Sequence, residues 1–138
     1  MTGRRGFTLI ELLIVVVILG VLAGLVAPRL AGRTEKAKLK AAEADVKGGL
    51  ALALDLYESD LGRYPKSLDD LLENTQSDAD WDGPYVKTGD LPRDPWNRSY
   101  QYRYPGEHNR RGYDLLSQGP DGLPGTADDI ANWSPKPR

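Results

Sequence analysis

The sequence predicts an α+β fold, a long N-terminal helix packed on a small antiparallel sheet, and three observations carry that reading. Residues 7–27 form a nearly continuous apolar stretch, residues 30–61 continue with apolar side chains at helical spacing, and residues 99–117 hold two runs that alternate as strands do. A chain of 138 residues has room for one domain and not for a large two-domain enzyme. Its hydrophobic content of 40% is concentrated at one end, so the average describes neither part. The absence of cysteine excludes a disulfide scaffold, an iron–sulfur cluster, a thiolate zinc site and a cysteine nucleophile. A single histidine, His108, excludes most histidine-rich metal sites. With 18 basic and 20 acidic residues mixed along the chain, there is no basic footprint for a nucleic acid.

The first element is the helix of residues 7–27, FTLIELLIVVVILGVLAGLVA. It has no polar stripe, so a helix buried in a soluble core is a poor fit. Those 21 residues rise about 32 Å as a helix, close to the roughly 30 Å hydrocarbon core of a bilayer. The stretch exceeds the apolar region of a secretory signal, and no A-x-A-like site follows it. Residues 7–30 are therefore expected to span a membrane, with the Arg4-Arg5 end cytoplasmic and lipid around the helix. Glu11 stands out, because a charge at the centre of a membrane helix costs about 2.5–3.5 kcal/mol. Either it snorkels to the interface or it meets a cation from another chain or from a newly made amino terminus.

Beyond the membrane segment, Leu39, Ala42, Val46, Leu50, Ala53, Leu54, Tyr57 and Leu61 make one apolar stripe. Glu35, Lys36, Lys38, Lys40, Glu43, Asp45 and Lys47 occupy the other face, with Glu43 and Lys47 as an i,i+4 pair. Pro28 is expected to kink the helix where membrane gives way to water. Gly48-Gly49 weaken the helix interior by roughly 1 kcal/mol each relative to alanine and mark a flexible point. Residues 7–59 together read as a single helix about 80 Å long. Its second half, residues 31–60, packs under the remainder of the domain, residues 61–138.

That remainder opens with Gly62-Arg63-Tyr64-Pro65, which ends the helix, and a short capped helix at residues 67–72. Residues 94–98 form a turn. Residues 99–104 alternate with period two, and residues 112–117 supply an antiparallel partner across the loop 105–111. The tyrosines at positions 100, 102 and 104 are read as sheet packing. His108 lies in a turn and is read as solvated. Residues 118–130, QGPDGLPGTADDI, place three carboxylates in a curl of Gly and Pro. A hard dication takes six to eight oxygens of this kind. The loop does not follow the EF-hand pattern. Composition alone leaves a solvated acidic turn and a metal site equally open.

The stretch Arg4-Arg5-Gly6-Phe7-Thr8-Leu9-Ile10-Glu11 resembles the leader junction of type IV pilins and pseudopilins. The resemblance implies removal of a leader, residues 1–6, by cleavage between Gly6 and Phe7 by the prepilin peptidase. It also implies N-methylation of Phe7, and assembly in which Glu11 neutralises the Phe7 amine of the neighbouring subunit. The runs DPWNRSYQYRYPGEH, YDLLSQGPDG and DDIANW, with Tyr64-Pro65 before them, are similar to the C-terminal domain of the major, G-type pseudopilins of type II secretion. That resemblance implies a type IV pilin-like fold with a C-terminal metal-binding loop. The metal would be calcium, held by the side chains of Asp121, Asp128 and Asp129 and the backbone carbonyls of Gln118 and Thr126.

The function so implied is that of a structural, non-enzymatic subunit. It would be anchored once in the inner membrane with a periplasmic C-terminal domain, and would assemble with itself into a helical pseudopilus that helps export folded proteins across the outer membrane. Minor pseudopilins, an inner-membrane platform protein and an assembly ATPase are the implied partners. The alternatives are a type IV pilus or competence pilin for adhesion, motility or DNA uptake, and a membrane-tethered periplasmic enzyme or binding module. The missing cysteines suggest that a metal, not a disulfide, ties down the end of the chain.

Overall fold

A computed structural model describes residues 6–134, without the side chains of residues 26–31. Leader residues 1–5, with Arg4 and Arg5, and the ring of Pro28 lie outside the described residues. The chain divides into two compact units, Met1–Ala37 and Lys38–Arg138.

The helix expected over residues 7–59 is three pieces. Helix α1 runs Leu9–Ala44, a π-helical turn follows at Asp45–Gly49, and α2 runs Leu50–Leu61. Thr8 starts α1, with its N–H and hydroxyl both 3.0 Å from Glu11 Oε2 and the Glu11 N–H returned to Thr8 Oγ1 at 3.3 Å. This reciprocal pairing is a capping box, and it sets the first helical residue at Leu9. The π turn contains Gly48 and Gly49, the weak point noted in the sequence. Val46 and Leu50, four residues apart and so on one face, both point inward, at 0% and 2% exposure. The end of α2 comes two residues later than expected, where Gly62 adopts φ +68 and donates to Glu58 O at 2.8 Å. Glycine takes that left-handed conformation without a Cβ penalty.

In the second unit the sheet is three-stranded, β1 (Gln101–Arg103), β2 (Asp114–Ser117) and β3 (Ile130–Ala131), antiparallel in the order β1-β2-β3. Tyr102 sits opposite Leu115, and Ser117 opposite Ile130. Both expected strands are present in shorter form, and β3, two residues long, begins at the last residue of the run read as loop. The short helix near residue 67 is a 3-10 turn, Leu68–Leu71, whose Asp70 accepts the N–H groups of Lys66 and Ser67 at 3.0 and 3.3 Å.

The core is formed by Val46, Leu50, Ala53, Leu54 and Tyr57 from the helix side and Leu71, Tyr100, Tyr113 and Leu115 from the rest of the unit. The tyrosines pack as expected, and the Tyr100 and Tyr102 hydroxyls have partners. Tyr100 donates to Asp45 Oδ2 at 2.7 Å, and Tyr102 to Pro65 O at 2.8 Å. Burial first, and then the Asp45 carboxylate, hold the Tyr100 phenol well above its usual range. The part of the stripe from Val46 to Tyr57 thus becomes the surface on which the rest of the unit packs, with the π turn against β2 and β3.

Candidate functional site: the amino-terminal helix and the acidic loop

Two places hold the residues singled out by the sequence. At the amino-terminal end, Gly6, Phe7 and Glu11 are all exposed. The large apolar side chains that follow are exposed too, from Phe7 at 86% through Val15 at 49% to Leu25 at 65%. An exposed apolar surface of this extent marks a membrane or a protein interface. Among the described residues no helix is long and apolar enough to cross a membrane. The described side chains of the apolar run stop at Leu25, while the sequence carries it to Ala27. The Glu11 carboxylate is held at the first turn of α1 by the Thr8 N–H and hydroxyl. The T-x-x-E spacing that announces this cap was legible in the sequence.

The acidic loop leaves β2 at Gln118 and returns at β3. Gly119, at φ +62, lies against the far arm, where an added Cβ would stand 2.3 Å from the Asp128 carbonyl oxygen. Asp128 closes the curl: its Oδ2 accepts the Asp121 N–H at 3.1 Å and its Oδ1 the Thr126 hydroxyl at 2.6 Å. Those two bonds, the Thr126 hydroxyl first, hold the Asp128 carboxyl below the usual carboxylate range. Asp121 Oδ1 accepts the Leu123 N–H at 2.8 Å, and Asp129 Oδ2 accepts the Gly125 N–H at 2.6 Å. Asp129 Oδ1 is buried with no hydrogen-bond partner. The three carboxylates share one curl, yet among the described residues no group of three His, Cys, Asp or Glu side chains is placed to hold a metal ion.

The neighbouring loop contains a polar cluster that sequence reasoning missed. Asp114 is 6% exposed and accepts the N–H groups of Glu107, His108 and Asn109 at 2.8 to 2.9 Å, with His108 Nδ1 at 3.0 Å. Burial pushes the Asp114 carboxyl up, and the His108 and Asn109 amides, the His108 ring and the Glu107 amide more than offset it, so the carboxyl lies below its usual range. His108 is therefore not merely solvated. Its ring also stacks on Trp133, 4.1 Å between centroids and 6° from parallel. No motif announces this arrangement, since most of its donors are backbone amides.

A long N-terminal helix carrying exposed apolar side chains and a small antiparallel sheet closed by an acidic loop define the pilin-like class of α+β proteins. Residues 29–133 match the family described as "Type II secretion system (T2SS), protein G", and residues 1–27 match the "Prokaryotic N-terminal methylation motif". The chain belongs to the type II secretion protein G family. It is 44% identical to the type II secretion system core protein G of Pectobacterium carotovorum subsp. carotovorum, across 95% of this chain and 85% of that one. It is 46% identical to the core protein G of Escherichia coli (strain K12), across 94% and 91% of the two chains. It also resembles the solved structure of the major pseudopilin from the type 2 secretion system of enterohaemorrhagic Escherichia coli, with a TM-score of 0.59 and 35% identity over 75% of this chain and 89% of that chain.

Proposed function

We propose that the chain is a structural subunit of the type II secretion pseudopilus, cut after Gly6, methylated on the Phe7 amine and polymerised through its N-terminal helix. The single observation that carries this is the helix surface, apolar and exposed from Phe7 to Leu25, beginning at a matched methylation motif. In this reading residues 7–30 anchor the precursor in the inner membrane and residues 31–138 fold in the periplasm. Lipid tails are as apolar as leucine, so moving the helix from lipid into a bundle of copies changes little hydrophobic free energy. The charge at Glu11 gives the exchange its direction. A carboxylate in hydrocarbon costs about 2.5–3.5 kcal/mol at the helix centre and less near the end where Glu11 lies, and a neighbour's methylated Phe7 amine keeps its positive charge and offsets that cost. The Thr8 cap holds Glu11 at the end of the helix where such a pairing is made. Minor pseudopilins, the platform protein and the assembly ATPase are its partners in this reading, and the chain itself catalyses nothing.

The acidic loop is proposed to bind calcium through Asp121, Asp128 and Asp129, with the Gln118 and Thr126 carbonyls completing the set. The support is chemical: the donors are all hard oxygens, and Asp129 Oδ1 is buried without a partner. A bound calcium ion supplies positive charge that lets three carboxylates share one curl.

Cross-complementation tests the assignment. The gene is expected to restore protein export to a strain lacking its major pseudopilin. Restoration of surface pili in a piliation-deficient strain, with no rescue of export, contradicts it.

A further inference from the structure

We propose that Arg98 is the positioning residue of the acidic loop, tying the Gly119 and Pro120 carbonyls so that the loop is already curled when a cation arrives. This rests on the calcium reading of the loop. The base of the side chain is fixed first. The Arg98 N–H donates to Asp94 Oδ1 at 2.8 Å, and the Asp94 N–H donates to Arg98 O at 2.8 Å. Asp94 is 3% exposed, and its Oδ2 accepts the hydroxyl of Ser117, the last residue of β2, at 2.7 Å. Ser117 Oγ in turn accepts the Gly119 N–H at 3.3 Å. The turn bearing Arg98 is thereby fastened to the strand end from which the loop departs.

From that base the guanidinium reaches into the loop. Nη1 donates to Gly119 O at 2.5 Å and Nη2 to Pro120 O at 3.2 Å. Gly122, at φ +71, makes room for it, since an added Cβ would stand 2.6 Å from Arg98 Cζ. None of the ion pairs among the described residues includes Arg98. Its permanent charge is spent on carbonyl oxygens, and its planar fork spans two of them where a lysine ammonium is a single point. A binding site that is formed only part of the time binds with an affinity lowered by that fraction. Removing the fork therefore weakens calcium binding without touching a ligand.

The test compares the full chain in detergent micelles with Arg98→Met, which keeps an unbranched apolar stem, and with Arg98→Lys, which keeps the charge. Calcium affinity is read by titration calorimetry with calcium chloride, and loop order by hydrogen exchange of residues 118–129 in chelator. Arg98→Met is expected to raise the apparent calcium Kd roughly tenfold or more and to speed loop exchange by a similar factor. Exchange of residues 50–57 stays as it was, and Arg98→Lys falls between the two. Unchanged calcium affinity together with unchanged loop exchange in Arg98→Met overturns the proposal. If the unaltered chain binds no calcium, the calcium reading fails by itself. Loop exchange in chelator then decides Arg98 alone: faster exchange in Arg98→Met keeps the clamp, and equal exchange removes it.

Discussion

The two units of this chain solve opposite problems. From Phe7 to Leu25 the large apolar side chains turn outward, and among the described residues Glu11 is bonded only to Thr8, three residues away. In Lys38–Arg138 the apolar side chains turn inward around Leu54, Tyr57 and Leu115, and buried carboxylates such as Asp70, Asp94 and Asp114 each gather several donors. A surface that satisfies nothing internally takes its partners from outside. The second unit pairs these buried carboxylates within itself. The difference teaches where each mutation should register: in assembly for the first unit, in stability for the second.

The largest separation is expected from Glu11→Ala. Membrane insertion and the melting of the domain should be retained, while filament assembly is lost; sedimentation of sheared filaments reads the result. Normal assembly by this variant removes the neighbour-amine pairing from the account.

Leu54→Ala is the mirror-image experiment. Leu54 is 0% exposed in the centre of the core, and truncations of this kind cost about 2–5 kcal/mol. Thermal denaturation should show a large loss of stability with membrane insertion unaffected. A loss under 1 kcal/mol would mean that the core drawn here is wrong.

Asp114→Asn sharpens the comparison through pH. The folded carboxyl lies below its usual value, so its contribution is fully present above the unfolded pKa of about 3.9 and fades as pH falls through the lower folded value. Replacement is expected to cost about 1–3 kcal/mol at neutral pH, and the variant should lose less stability than the parent on acidification. Parallel stability–pH curves for the two proteins contradict the role given to the Glu107–Asn109 amides.

The smallest effect is expected at Gly48, where an added Cβ meets nothing within 4 Å. Gly48→Ala should raise stability by up to about 1 kcal/mol through helix propensity. A clear loss would show that the π turn needs glycine for its conformation.

How much of this was legible follows from where each feature's partners lie. The residues 4–11 junction is a local pattern, and the α2 stripe and the strands around Tyr102 and Leu115 are periodic, so all three could be read directly. The strand Ile130–Ala131 is too short to alternate. Gly48-Gly49 showed a weak point, and the π turn that holds them has no periodic signature of its own. Asp94, Arg98 and Asp114 were silent, because their partners are backbone groups or residues some 20 positions away, as with Arg98 and Gly119. The acidic loop was visible as composition. The partnerless Asp129 Oδ1 was not.

The central claim is that the apolar helix is a processed anchor that exchanges lipid for copies of itself. Intact-mass measurement of the protein extracted from membranes of cells carrying the prepilin peptidase tests it most directly. The account predicts a chain lacking Met1 through Gly6 and carrying one added methyl group on Phe7. A chain that still bears its six leader residues would contradict it.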